Sequence, residues 1–111
     1  MKTYDIKSDM PTVLEAGKRL SEAIREAKQQ KYKAIKILHG YGSSGIGGSI
    51  RVAVRNSLQN RMSKGEIKAY IPGEAFESTM GFDEMIRTYN HLLKDDSDYR
   101  HMNDGITYVI L

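Results

Sequence analysis

The stretch Ala34-Ile35-Lys36-Ile37-Leu38-His39-Gly40-Tyr41-Gly42-Ser43-Ser44-Gly45-Ile46-Gly47-Gly48-Ser49 holds the transition on which the fold turns. Residues 34–38 are short and β-prone, and five of the next eleven residues are glycine. From about Gly48 to Met62, the residues Ile50, Ala53, Val54, Leu58 and Met62 recur at helical spacing, and Ser63-Lys64-Gly65 ends the run. A strand therefore feeds a glycine-rich turn that opens directly into an amphipathic helix.

Working outward, residues 3–7 (TYDIK) alternate Tyr4 and Ile6 with polar neighbours, the period of a half-buried strand. Thr12 and Glu15 are spaced as a capping box, and Val13, Ala16, Leu20, Ile24 and Ala27 predict a helix to about Gln30. Downstream, residues 67–71 (IKAYI) alternate again until Pro72-Gly73 stops them. Asp83 is placed to cap a helix carrying Met85, Ile86, Tyr89, Leu92 and Leu93. The final GITYVIL is apolar on both faces and needs cover on both sides.

The order β-α-β-α-β-(α)-β predicts an α/β fold, a two-layer sandwich built on a small mixed four-stranded sheet. Right-handed crossovers put its first two helices on one face. One domain over residues 1–111 is expected, with an insert at about 76–103. The face away from the two helices would carry Asp5, Lys7, Lys36, Lys68 and Tyr70, so it is expected to be largely solvated or to bind a charged ligand. Asp95-Asp96-Ser97-Asp98 reads as a solvated acidic loop, His91 and His101 as surface or partly packed residues, and Met80, Met85 and Met102 as core filler.

Composition narrows the function. The 111 residues contain no cysteine, which excludes a disulfide scaffold and any Cys-ligated zinc or iron–sulfur site. No apolar run approaches the roughly 20 residues of a membrane span, and the first residues lack the apolar core of a secretory signal. A cytoplasmic location, with no membrane partner, is the resulting expectation. Residues 1–70 carry 14 Lys and Arg against 6 Asp and Glu, whereas residues 71–111 carry 3 against 8. The basic part suits a polyanion such as nucleic acid, and the acidic part would be held off it.

Glycines at the density of residues 40–48 permit positive φ and let main-chain N–H groups approach a ligand closely. At a strand end running into a helix N-terminus, those groups favour an anion, most simply a phosphate. Gly40, Tyr41, Gly42, Ser43, Ser44, Gly45, Gly47 and Gly48 are the candidate phosphate-binding residues, and Arg51 and Arg55, one turn apart on the helix, can extend the same field. Glycine-rich turns also simply connect strands to helices. Gly40-x-Gly42-x-x-Gly45 matches the dinucleotide fingerprint, but Pro72 stands where an acidic ribose ligand should end the next strand. No Gly-Lys-Ser/Thr closes a P-loop.

The apolar strand followed by His39-Gly40-Tyr41-Gly42 and a displaced Gly45 resembles the second signature of the small MutS-related (Smr) domain, an HGxGxG motif. The likeness extends to the helix start at Thr12-Val13-x-Glu15-Ala16, to IKAYIPGEA at 67–75 and to the closing GITYVIL. It implies a two-layer α/β fold, nucleic-acid binding, and endonuclease or nicking activity on DNA or RNA, with a link to DNA repair. The family's first signature, LDxH, is represented by Tyr4-Asp5-Ile6-Lys7, with lysine at the histidine position.

Phosphodiester hydrolysis needs an activated nucleophile and stabilisation of charge on the phosphate oxygens. His39, Asp5 and Lys7 are the candidate catalytic residues, Asp5 orienting Lys7 or His39. Mg²⁺ or Mn²⁺ is the one candidate cofactor, although one carboxylate with one histidine is too few ligands to build a metal site. Lys7 in place of histidine ranks binding above hydrolysis. The alternatives are a non-catalytic interaction module and a small nucleotide-binding protein. A monomer is the default.

Overall fold

A computed structural model describes residues 1–41, 45–77 and 80–111, with the side chains of 45–47 and 77 outside the description. The elements run β1 (Thr3–Asp5), α1 (Val13–Gln29), β2 (Ala34–Leu38), α2 (Gly45–Ser63), β3 (Ala69–Pro72), a 3₁₀ turn (Ala75–Glu77), α3 (Asp83–Leu93) and β4 (Ile106–Ile110). The four strands form one mixed sheet in the order β1-β2-β4-β3. β1 is parallel to β2, and β4 lies antiparallel between β2 and β3, with Lys36 opposite Tyr108 and Tyr70 opposite Val109.

Local chemistry accounts for the boundaries. Thr12 caps α1, its hydroxyl accepting from the Glu15 amide at 3.1 Å. The helix closes through Lys31 at φ 60°, whose neighbour Tyr32 donates back to the Ala27 carbonyl. α2 ends similarly at Gly65, φ 76°. Asp83 is the first residue of α3 rather than its cap; Phe82 holds the cap position and makes no side-chain cap bond.

Both faces of the sheet are covered. Ile35, Ile37, Val109 and Tyr70 pack with Leu20, Ile24, Val54 and Leu58 from α1 and α2, forming the two-layer sandwich. On the other face, Ile71, Ile106, Tyr108 and Ile110 pack with Phe76, Ile86 and Leu93 from the segment after β3. All five residues of β4 are buried, as its two-sided apolar pattern predicts.

The second core corrects three expectations. Tyr70 lies on the α1/α2 face, where its hydroxyl donates to Gln59 Oε1 at 2.9 Å, because Ala69 and Ile71 turn to the segment after β3. Lys36 is 7% exposed, and its Nζ reaches Asp96 at 3.0 Å and Asp98 at 2.7 Å. The 95–98 loop is thus not simply solvated: Asp96 also accepts from the Tyr108 hydroxyl at 2.8 Å. Asp5, Lys7 and Lys68 remain exposed. Of the three methionines expected as filler, Met85 packs on the second core, while Met80 and Met102 are exposed. His91 and His101 are exposed as expected.

Candidate functional site

The parallel strands β1 and β2 end side by side, so the turn after β1 touches the start of the glycine loop after β2. Ile6 N–H donates to the Leu38 carbonyl at 3.1 Å, extending the pairing to the edge of Lys7. The turn after β1 is built on Asp5, whose carboxylate accepts from the Lys7 amide at 2.8 Å, from the Ser8 amide at 3.0 Å and from the Ser8 hydroxyl. The Ser8 hydroxyl, with the two amides, holds that carboxyl below the usual range against the opposing cost of burial. Arg19 of α1 donates to the Ser8 carbonyl at 2.7 Å and so ties the turn to the first helix.

Gly40 has φ +87°, a left-handed conformation that favours glycine. A Cβ there would lie 3.2 Å from Lys7 Cδ, so the lysine stem runs across Gly40. The structure therefore brings Lys7 to the start of the glycine loop. Tyr41 is 64% exposed and leans on Gly105.

The Gly40 amide is not an outward donor: it and the His39 amide both donate to the Gly105 carbonyl at 3.0 Å. That N–H is used to join the end of β2 to the turn before β4. Gly42, Ser43 and Ser44 lie outside the described residues. α2 starts three residues earlier than the apolar stripe predicts, so Gly45, Gly47 and Gly48 belong to its first turn, whose N–H groups lack intrahelical acceptors. No acidic residue occupies that turn.

His39 is 1% exposed. Its Nδ1 lies 2.9 Å from the Gly40 carbonyl oxygen and its Nε2 2.8 Å from the Thr107 hydroxyl. A carbonyl can only accept, so Nδ1 carries the proton and Nε2 accepts from Thr107. Burial pushes the imidazole pKa down to about 4, with Arg55 and Arg51 adding to the effect and the Gly40 and Glu74 contributions opposing it. The ring is neutral at pH 7.

The two arginines are held by acids from the second half of the chain. Arg55, with its side chain 16% exposed, makes a bidentate pair with Glu74 at 2.7 Å for each bond, and its Nε donates to Thr107 Oγ1 at 3.2 Å. Arg51 reaches Asp104 at 3.1 Å. The charge asymmetry of the sequence is thus partly spent inside the fold, since Lys36, Arg51 and Arg55 each meet an acid from residues 74–104. Thr107, Glu74 and Gly105 contact the candidate site residues His39, Arg55 and Gly40, and sequence reasoning missed them. Their positions in the strand and turn carried no signal beyond proximity to Pro72-Gly73 and the closing GITYVIL.

Among the described residues, no group of three or more His, Asp or Glu side chains is placed to hold a metal. The oxygens of Asp5 already accept three hydrogen bonds. This donor set does not fit Mg²⁺ or Mn²⁺. No described helix is long and apolar enough to cross a membrane.

A mixed sheet in the order β1-β2-β4-β3, with two helices on one face and a glycine loop leading from β2 into α2, defines a small α/β fold with the candidate site at the strand ends. The chain belongs to the Smr domain family, whose model matches residues 9–82. Among solved structures, the fold is similar to the crystal structure of the Smr domain of Thermus thermophilus MutS2, at 21% identity and a TM-score of 0.61, over 100% of this chain and 98% of that one. No curated protein matches it.

Proposed function

We propose that the chain acts as one Smr-like domain that binds the sugar-phosphate backbone of DNA or RNA at the ends of β1 and β2. The observation that carries this reading is the lysine at the loop. Lys7 is exposed and lies across Gly40, beside a loop that leads into a helix with no acid in its first turn. A lysine ammonium and helix N-terminal amides are complementary to a phosphate dianion or diester. Tyr41, exposed next to them, offers a ring face for one base.

In this reading Lys7 and the first-turn amides of α2 touch phosphate, while Asp5 shapes the turn that presents Lys7. His39, neutral and buried, supports the loop from within and is poorly placed to move a proton on a bound strand. Binding is therefore the primary activity and strand cleavage the secondary one, with Lys7 the group that would stabilise charge on the phosphate.

The test is a titration of labelled single-stranded DNA, duplex DNA and structured RNA at several salt concentrations. Affinity should fall linearly in log–log form, with a slope of several phosphates. No retardation of any of the three would overturn the reading. Nicking is assayed in parallel on supercoiled plasmid and structured RNA, with and without Mg²⁺ or Mn²⁺. Cleavage that survives in Lys7→Ala would remove Lys7 from the chemistry.

A further inference from the structure

The hydrogen bonds behind the loop diverge from Arg55, which donates on one side to Glu74 and on the other into a run that ends at Gly40. Glu74 accepts two bonds from Arg55, Arg55 Nε donates to Thr107 Oγ1 at 3.2 Å, Thr107 donates to His39 Nε2 at 2.8 Å, and His39 Nδ1 donates to the Gly40 carbonyl at 2.9 Å. Each group has one role that satisfies the next. The Gly40 carbonyl can only accept, so Nδ1 carries the ring proton and Nε2 accepts from the Thr107 hydroxyl, whose oxygen in turn accepts from Arg55 Nε. The chain of bonds spans four parts of the fold: the turn after β3, α2, β4 and the end of β2.

We propose that Glu74, Arg55 and Thr107 form a positioning relay that fixes His39 as the neutral Nδ1–H tautomer and, through the Gly40 carbonyl, sets the direction in which the glycine loop leaves β2. His39 is then a positioning residue rather than a proton-transfer group. Gly40 is held on both sides, its amide by the Gly105 carbonyl and its carbonyl by His39, immediately before Tyr41. With Arg55 Nε on one lone pair of Thr107 Oγ1, the hydroxyl hydrogen is directed to Nε2, and that bond holds the ring in the orientation that aims Nδ1 at Gly40. The functional consequence rests on the reading that this loop faces a phosphate; the relay itself does not.

The experiment is two-bond ¹H–¹⁵N NMR of the His39 ring in the full chain, together with binding of a labelled single-stranded oligonucleotide at fixed salt. The wild type should show a protonated Nδ1 and an unprotonated Nε2, unchanged from about pH 5 to 8. Thr107→Val should move the ring toward a tautomer mixture, shift the Gly40 and Tyr41 amide signals, and weaken oligonucleotide binding roughly tenfold. Thr107→Ser should restore all three. Glu74→Gln, which leaves the buried strand untouched, should shift the ring signals in the same direction by a smaller amount.

An Nε2–H or doubly protonated ring in the wild type at neutral pH overturns the relay, as do ring signals that both Thr107→Val and Glu74→Gln leave unmoved. If the wild type binds no nucleic acid while the ring behaves as described, the proposed function fails and the relay stands. If the ring responds but affinity in Thr107→Val does not change, the relay's role in the loop is overturned.

Discussion

Lys36 Nζ lies 3.0 Å from Asp96, and the two side chains are 9% and 7% exposed, so a strand residue of the first half and a loop residue of the second are buried as an ion pair. Asp98 joins at 2.7 Å and the Tyr108 hydroxyl donates to Asp96 at 2.8 Å. Removing one partner leaves the remaining charge without its counterion in a poorly solvated place. Lys36→Ala should therefore cost about 3 kcal/mol. Lys36→Met combined with Asp96→Leu should cost less than that single change, because the more deeply buried acid leaves with its counterion, while Asp98, 26% exposed, keeps its bond from Asn103. Urea unfolding of the two variants decides it.

Acid should loosen the same cluster. Lys36 followed by Asn103 holds the Asp98 carboxyl below its usual range; for Asp96, burial works the other way and the Tyr108 and Lys36 hydrogen bonds outweigh it. Carboxyls depressed in the folded state contribute stability above the ordinary value of 3.8, and that contribution is lost as pH falls through the folded values. In Asp98→Asn the decline below pH 3.8 should be shallower, as followed by the tyrosine near-UV signal of the second core.

His39 titrates in a separate window. The unfolded chain takes up its proton near pH 6.5, whereas the folded ring resists it down to about pH 4. The unfolded state binds more protons between those values, so stability should fall by up to about 3 kcal/mol as pH drops from 6.5 to 4. His39→Gln can donate to Gly40 and accept from Thr107 without titrating. Chemical unfolding across this range should show a flatter profile for that variant, and an unchanged slope would contradict the assignment.

Lys7 and Tyr41 are exposed, so substituting them should leave the melting temperature nearly unchanged. Lys7→Ala should weaken binding to every sequence alike and reduce the log–log salt slope by about one. Tyr41→Ala should cost about 1–3 kcal/mol of single-strand binding and leave the salt slope intact. The reverse pattern, with Tyr41 changing the slope and Lys7 not, would exchange their roles.

Gly73 sits under the Asn103 carbonyl, which a Cβ would approach to 2.0 Å. The clash is with backbone and cannot be relieved by a rotamer change. Gly73→Ala should destabilise by about 3 kcal/mol and disturb the 103–105 turn, whose Gly105 carbonyl receives the His39 and Gly40 amides. Thermal unfolding measures the first effect and the Gly40 amide signal the second.

The elements themselves were legible in local chemistry. The Thr12 cap, the five-residue strand before His39, the Gly65 stop and the two-sided apolar run at the C-terminus each act within a few residues, and their helix and strand periods agree with the observed order. The HGxGxG-like run, read as a resemblance, also indicated the family. Local pattern could not supply the pairing between distant residues. Alternation in IKAYI says that β3 has two faces but not which one meets the helices; that was decided when Phe76, Ile86 and Leu93 covered Ile71.

By itself, then, the order of residues determined the α/β class, the helix and strand periods and the place of the glycine loop, because backbone propensity and capping are short-range. Tertiary structure alone decided that an acidic stretch would neutralise Lys36, Arg51 and Arg55, that the motif histidine would be buried behind Thr107, and that Lys7 would be the exposed cation at the loop. Charges and hydrogen-bond partners dozens of residues apart meet only when the sheet brings β4 between β2 and β3, and burial then sets their protonation.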